Sequence, residues 1–194
     1  MIFNPGAKMA EKFRDPEFVM FVGPMFSSKT SKLLTSLDRC KYQNKKIVAF
    51  KPKIDERYSQ SNIVTHGGIS WPAVNVSNGQ EILRLSDQSD VIGVDEAFMI
   101  DGCAESLVKL FKAGKTIYVS SVQLSATGHA FEEIKEMMPW ATKIEVCPSV
   151  CSMTQRDAYY TVRKFESLEE ISVGGSESYT PVCWELAPFM RKDD

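Results

Sequence analysis

Two short segments carry side chains suited to phosphate chemistry. The first is Gly23-Pro24-Met25-Phe26-Ser27-Ser28-Lys29-Thr30. It fits the phosphate-loop pattern G-x-x-x-x-G-K-[ST] at Gly23, Lys29 and Thr30, with Ser28 where the pattern has glycine. Such a loop aims backbone N–H groups and a helix N-terminus at phosphate oxygens. Lys29 is expected to bridge the β- and γ-phosphates and Thr30 to hold Mg²⁺. A Cβ at position 28 is penalised if the loop needs positive φ there, by about 1 kcal/mol. That weakens binding without abolishing it. The second segment, Val91-Ile92-Gly93-Val94-Asp95-Glu96, is an apolar run ending in two carboxylates. At the C-terminal end of a parallel strand these acids face the usual ligand site of such sheets. Asp95 is expected to hold the Mg²⁺ hydration shell, and Glu96 to take a proton from an attacking hydroxyl.

The elements around these segments read as an α/β alternation. Glu17–Val22 is a buried strand leading into the loop, and Leu33, Leu34, Leu37 and Cys40 follow at helical spacing. Lys45–Lys51 is a second strand, closed by Pro52. Residues 64–76 suggest a hairpin or two short strands. Residues 91–96 and 115–122 are further strands, and 104–113 and 130–138 are helices. This rhythm predicts a mainly parallel sheet. Composition shifts after about Thr142, where three of the five cysteines, short strand-like runs and Gly174-Gly175 fall. The expected organisation is a lead-in over 1–16, an ATP-binding domain over 17–143 and a small β-rich domain over 144–194.

Composition narrows the function classes. The 194 residues are 43% hydrophobic and 25% charged, an ordinary globular balance long enough for a full core. A net charge of −2 and a pI near 5.8 argue against a nucleic-acid-coating role. No run approaches the ~18 apolar residues of a membrane span, and the N-terminus has no signal-peptide pattern. The expected setting is cytoplasmic, with no membrane or nucleic-acid partner. An odd number of dispersed cysteines, Cys40, Cys103, Cys147, Cys151 and Cys183, does not suggest a disulfide framework.

Taken together, the motifs resemble the type II thymidine kinases, the cellular, bacterial and phage class. That family carries G-P-M-F-S-G-K-[ST], here GPMFSSKT, and K-P-x-x-D-x-R-Y, here Lys51, Pro52, Asp55, Arg57 and Tyr58. A Thr-His pair is matched by Thr65-His66, and D-E-[AG]-Q-F-F by Asp95-Glu96-Ala97-Phe98-Met99. Tyr160-Thr161-Val162-Arg163 and Val173-Gly174-Gly175 through Tyr179 and Cys183 complete the series. The resemblance spans about residues 17–187 and implies a RecA-like P-loop domain with a small C-terminal domain whose lasso closes over a nucleoside. It implies ATP-dependent phosphorylation of thymidine, or a related deoxynucleoside, at the 5′-hydroxyl.

By position, the resemblance makes Glu96 the general base and places Lys29 and Arg57 with it in catalysis. Gly23, Met25, Ser27, Ser28, Lys29, Thr30, Asp55 and Asp95 fall to ATP, with Thr30 and Asp95 at Mg²⁺. Met25, Phe131, Thr161, Gly174, Gly175 and Tyr179 fall to the nucleoside. Feedback inhibition by dTTP and a homotetramer are implied as well.

The chain departs from the family pattern at four places. Ser28 replaces glycine, and Phe98-Met99 replace Gln-Phe. Ala126 stands where an aromatic wall is expected ahead of Phe131, which implies an altered base pocket. Family members often carry C-x-x-C twice, a tetrahedral zinc set. Here the corresponding positions are Cys151 with Thr154 and Cys183 with Leu186, so two of four are not cysteine. Cys147 is the only spare thiol nearby, and zinc is doubtful. Packing by Val150, Val182, Trp184 and Leu186 is the expected replacement. The alternative function is a nucleotide-binding homologue without turnover, a regulatory or sensing module.

Overall fold

The computed structural model describes residues 15–55, 61–65, 67–165 and 174–190. Its centre is a six-stranded, all-parallel sheet. The strands are β1 (Phe18–Val22), β2 (Ile47–Pro52), β5 (Val74–Val76), β6 (Val91–Asp95), β7 (Thr116–Ser121) and β8 (Lys143–Val146), in the order β5-β2-β6-β7-β1-β8. A pair of short antiparallel strands, β3 (Asn62–Val64) and β4 (Ser70–Pro72), lies in the β2–β5 connection.

Residues of the parallel strands alternate between two faces. On one, Val19, Phe21, Ala49, Val91 and Tyr118 are buried with Leu33, Leu34, Leu37 and Cys40 of α1 (Lys29–Lys41). Gly93 belongs to this face because a Cβ there would lie 2.7 Å from a Leu37 methyl. On the other, Phe18, Met20, Val22, Phe50, Ile92, Val94, Ile117 and Val119 pack with α2 (Gly79–Leu85), α3 (Cys103–Lys112) and α4 (Glu132–Met137). At roughly 1.5–3 kcal/mol for each large apolar side chain, these layers dominate the folding energy. Among the described residues no helix is long and apolar enough to cross a membrane.

The expected strands and helices of residues 17–138 are present with ends shifted by one or two residues, with two exceptions. The region read as a hairpin or two short strands holds three strands, β3 and β4 paired antiparallel and β5 in the parallel sheet, and α2 is an addition. Its start is signalled in the sequence by Asn78 and Glu81: the Asn78 side chain accepts the Glu81 N–H at 3.2 Å, and Glu81 accepts the Ser77 N–H at 2.9 Å. β8 spans the expected boundary at residue 143 and pairs with β1, so the large sheet continues to Val146.

Beyond Val146 the chain forms two antiparallel pairs, β9 (Ser149–Val150) with β10 (Asp157–Ala158) and β11 (Tyr160–Arg163) with β12 (Tyr179–Val182). Its buried apolar group is small: Cys151, Ala158 and Cys183, with Leu186 against them. Val150 and Trp184 are about 60% exposed, so they do not supply the packing expected of them. Val182 is buried and Leu186 half-buried. Polar contacts supplement them. The Thr154 hydroxyl and the Arg156 guanidinium each lie 3.5 Å from Cys183 Sγ, and Arg156 pairs with Glu185.

Candidate active site

The loop between β1 and α1 is shaped by three residues at positive φ. Gly23, at φ 156°, is required by proximity: a Cβ there would sit 2.2 Å from the Cys147 carbonyl oxygen. Phe26 and Ser28 adopt left-handed conformations at φ 61° and 59°. Ser28 therefore takes the backbone conformation for which glycine is favoured, and its carbonyl accepts the Lys32 N–H at 3.1 Å as α1 begins. The buried Lys29 ammonium folds back onto the loop, donating to the Pro24 carbonyl and to Ser27 Oγ at 3.3 Å.

The sheet brings the acids to this loop. Asp95 ends β6 on the face that carries α1, and the Thr30 hydroxyl at the start of α1 lies 3.2 Å from its Oδ1 and 3.4 Å from Oδ2. Ser120 of β7, the register partner of Asp95, also donates to Oδ1. Burial and the neighbouring Glu96 carboxylate push the Asp95 carboxyl up to about 7, against the hydroxyl hydrogen bonds and the Lys29 charge. A buried carboxylate beside a threonine hydroxyl is a hard oxygen donor set that suits Mg²⁺, and a divalent cation there would favour the ionised acid. Glu96 follows in a left-handed conformation, φ 49°, which turns the chain into the 3₁₀ turn Ala97–Met99.

A cavity of about 410 Å³ gathers Met25 through Ser31, Lys51, Asp55, Ile63, Val64, Thr65, Gly67, Asp95 and Glu96. Eight expected site residues thus share one space: Met25, Ser27, Ser28, Lys29, Thr30, Asp55 and both acids. Lys51 and Thr65 are buried wall residues whose signal in the sequence is their place in the K-P-x-x-D-x-R-Y and Thr-His motifs, whereas the buried Ser120 belongs to no motif. Arg57 and His66 lie outside the described residues.

The residues expected at the nucleoside divide into two groups. Thr161 of β11 accepts the Met25 N–H at 2.9 Å, which ties the C-terminal segment to the phosphate loop. Tyr179 is buried beside Arg163, whose guanidinium carbon lies 5.6 Å from its ring centroid. Gly174 precedes the Ser176–Ser178 turn, and a Cβ on it would meet Ser178 Cβ at 2.7 Å. Phe131 faces a different space. Its ring packs against Phe98 with centroids 4.5 Å apart and planes tilted by 40°, and the two line an open cavity of about 670 Å³ with Met99. Phe98, where the family has glutamine, therefore packs on the aromatic that was expected to meet the base.

The three late cysteines do not converge. Cys147 is buried under the α1 face of the large sheet, whereas Cys151 and Cys183 share the small C-terminal cluster. The Cys151 thiol is pulled down to about 6, chiefly by hydrogen bonding from Thr154. Among the described residues no group of three or more His, Cys, Asp or Glu is placed to hold a metal ion, and a tetrahedral zinc set does not fit.

A parallel sheet with a phosphate loop after one strand, and an acid at the end of a strand one position removed, defines a P-loop nucleotide-binding protein of RecA-like fold. The profile of the thymidine kinase family matches residues 17–186. Proteins named thymidine kinase from two strains of Porphyromonas gingivalis are 30% identical over 175 residues, covering 90% of this chain and 86% of each relative. Among solved structures, the Legionella pneumophila ATPase DotB aligns with a TM-score of 0.45 and 16% identity. That alignment covers 79% of this chain, which spans 46% of the DotB chain. The chain belongs to the thymidine kinase family.

Proposed function

We propose that this chain transfers the γ-phosphoryl group of ATP to the 5′-hydroxyl of thymidine or a closely related deoxyuridine nucleoside. The observation that carries this reading is the single cavity in which Lys29 and Thr30 face Asp95 and Glu96. In the reaction Lys29 exchanges the Pro24 carbonyl for phosphate oxygens. Glu96 takes the 5′-hydroxyl proton as the new O–P bond forms and the bond between the γ-phosphorus and the β,γ-bridging oxygen breaks, leaving ADP. Thr30 and Asp95 would hold Mg²⁺, which supplies charge neutralisation at the phosphates. Asp55 stands near the transferring group, and Arg57 offsets its equatorial charge. Met25, Thr161, Gly174, Gly175 and Tyr179 form the nucleoside side, with Phe131 behind Phe98.

The proposed division of labour follows the chain: phosphate chemistry in the large sheet, nucleoside closure in the C-terminal segment. Cytoplasmic salvage, a homotetramer and dTTP feedback complete the reading carried over from the family. The test is a panel of thymidine, deoxyuridine, 5-substituted deoxyuridines and deoxycytidine incubated with ATP and Mg²⁺ and read by mass spectrometry. A monophosphate from thymidine is expected. Product only from a bulkier 5-substituted nucleoside would assign the Phe98 and Ala126 departures to specificity. Nucleotide binding without any product would favour the sensing module.

A further inference from the structure

The position of Asp95 depends on a strand that the proposed reaction does not otherwise use. β7 lies between β1, which leads into the phosphate loop, and β6, which carries the acids. Its register sets Ser120 beside Asp95 on one side and beside Phe21 on the other. Register neighbours in a sheet present side chains to the same face. The Ser120 hydroxyl therefore meets the Asp95 carboxylate directly, at a site 1% exposed where water does not compete. Asp95 Oδ1 receives hydroxyls from both Ser120 and Thr30, whereas among the described residues Oδ2 has only the longer Thr30 contact at 3.4 Å. A carboxylate oxygen offers about two lone-pair sites, so Oδ1 is filled by protein donors and Oδ2 keeps capacity. One residue on, Ser121 Oγ accepts the Phe98 N–H at 3.3 Å, in the turn that follows Glu96. Consecutive serines thus brace both sides of the Asp95-Glu96 step.

We infer that Ser120 is a positioning residue that fixes the rotation of the Asp95 carboxylate and presents Oδ2 to the divalent cation of a bound nucleotide. Ser120 touches neither nucleotide nor nucleoside. It sets metal affinity through Asp95, and it rests on the reading of Asp95 as the acid that holds Mg²⁺.

The experiment is a Mn²⁺ titration followed by electron paramagnetic resonance in the presence of ADP, using the full chain, Ser120→Ala and Ser120→Cys. Removing an outer partner of a metal site typically weakens binding by about 10- to 100-fold. Ser120→Ala is expected to weaken Mn²⁺ about tenfold. Ser120→Cys keeps the volume with a weaker donor and should fall between. ADP affinity in EDTA separates a metal effect from a damaged loop, and it should move less than the Mn²⁺ constant. Thermal melts identify a variant that fails to fold, and the cysteine variant then carries the comparison. Equal Mn²⁺ affinity in folded variants and wild type, or parallel loss of Mn²⁺ and metal-free ADP binding, overturns the inference. A wild-type chain that binds ADP but no Mn²⁺ overturns the reading of Asp95, and this inference with it.

Discussion

The large sheet and the C-terminal segment hold their functional residues in different ways. In the sheet, loop, acid and serine come from three strands separated by up to about a hundred residues, yet parallel register sets them side by side. Two buried layers of side chains enforce that register. After Val146, two short antiparallel pairs surround a few buried side chains, and Val150, Met153 and Trp184 are exposed. The difference is one of redundancy. The geometry of loop and acids is over-determined, while among the described residues the C-terminal segment, the proposed nucleoside side, relies on fewer contacts, among them Thr161 to Met25 and Arg156 to Glu185.

The contrast can be broken from the sheet side first. Glu96→Gln removes the proposed base while leaving every buried layer intact. It should lower kcat by about 10²- to 10⁴-fold with an unchanged melting curve, measured by product formation and calorimetry. A loss of the fold instead would mean that Glu96 is structural. Leu37→Ala attacks the layer itself. It should cost about 2–5 kcal/mol in urea unfolding, because Leu37 is fully buried against Gly93. A cost below 1 kcal/mol would show that the sheet is less over-determined than its packing indicates.

The seam between the regions offers a smaller effect. Thr161→Val removes the acceptor of the Met25 N–H, worth about 0.5–1.5 kcal/mol. The nucleoside KM should rise several-fold, with a smaller change in the ATP KM. Equal changes in both would place Thr161 in the phosphate site. Ser28→Gly should have the smallest effect. Relief of a left-handed serine, about 1–2 kcal/mol, is partly offset by glycine's extra chain entropy, about 0.5–1 kcal/mol. The net gain in stability should be about 0.5 kcal/mol, visible as a small rise in melting temperature.

The sequence made the two regions legible to different degrees. The phosphate loop and the paired acids could be read because each is contiguous and flanked by apolar runs of the right length. The pattern's glycine at position 28 raised the question of positive φ, which the structure answers with Ser28 at φ 59°. Ser120 could not be found this way. Its role depends on β7 inserting between β1 and β6, and no local pattern encodes strand order. Helix α2 was signalled by Asn78 and Glu81 but is only seven residues long, too short for a clear apolar period. In the C-terminal segment the cysteine spacing correctly showed that two of four ligand positions are not cysteine. It could not show that Cys147 lies under another layer, nor that Val150 and Trp184 face solvent. Phe98 likewise reads as a lost glutamine, whereas its packing against Phe131 is a tertiary fact.

The Lys29 ammonium resting on Pro24 means that the loop carries its own competitor. In the proposed reaction an arriving phosphate displaces a peptide carbonyl before it gains the lysine. Measured affinity is therefore the intrinsic affinity scaled by the fraction of molecules with that ammonium released. A tenfold preference for the tucked arrangement lowers apparent affinity by about tenfold. On the proposed phosphate role of Lys29, the tucked lysine acts as an affinity rheostat, set by the strength of the contacts that hold it on the loop, the Pro24 carbonyl and Ser27 Oγ among them.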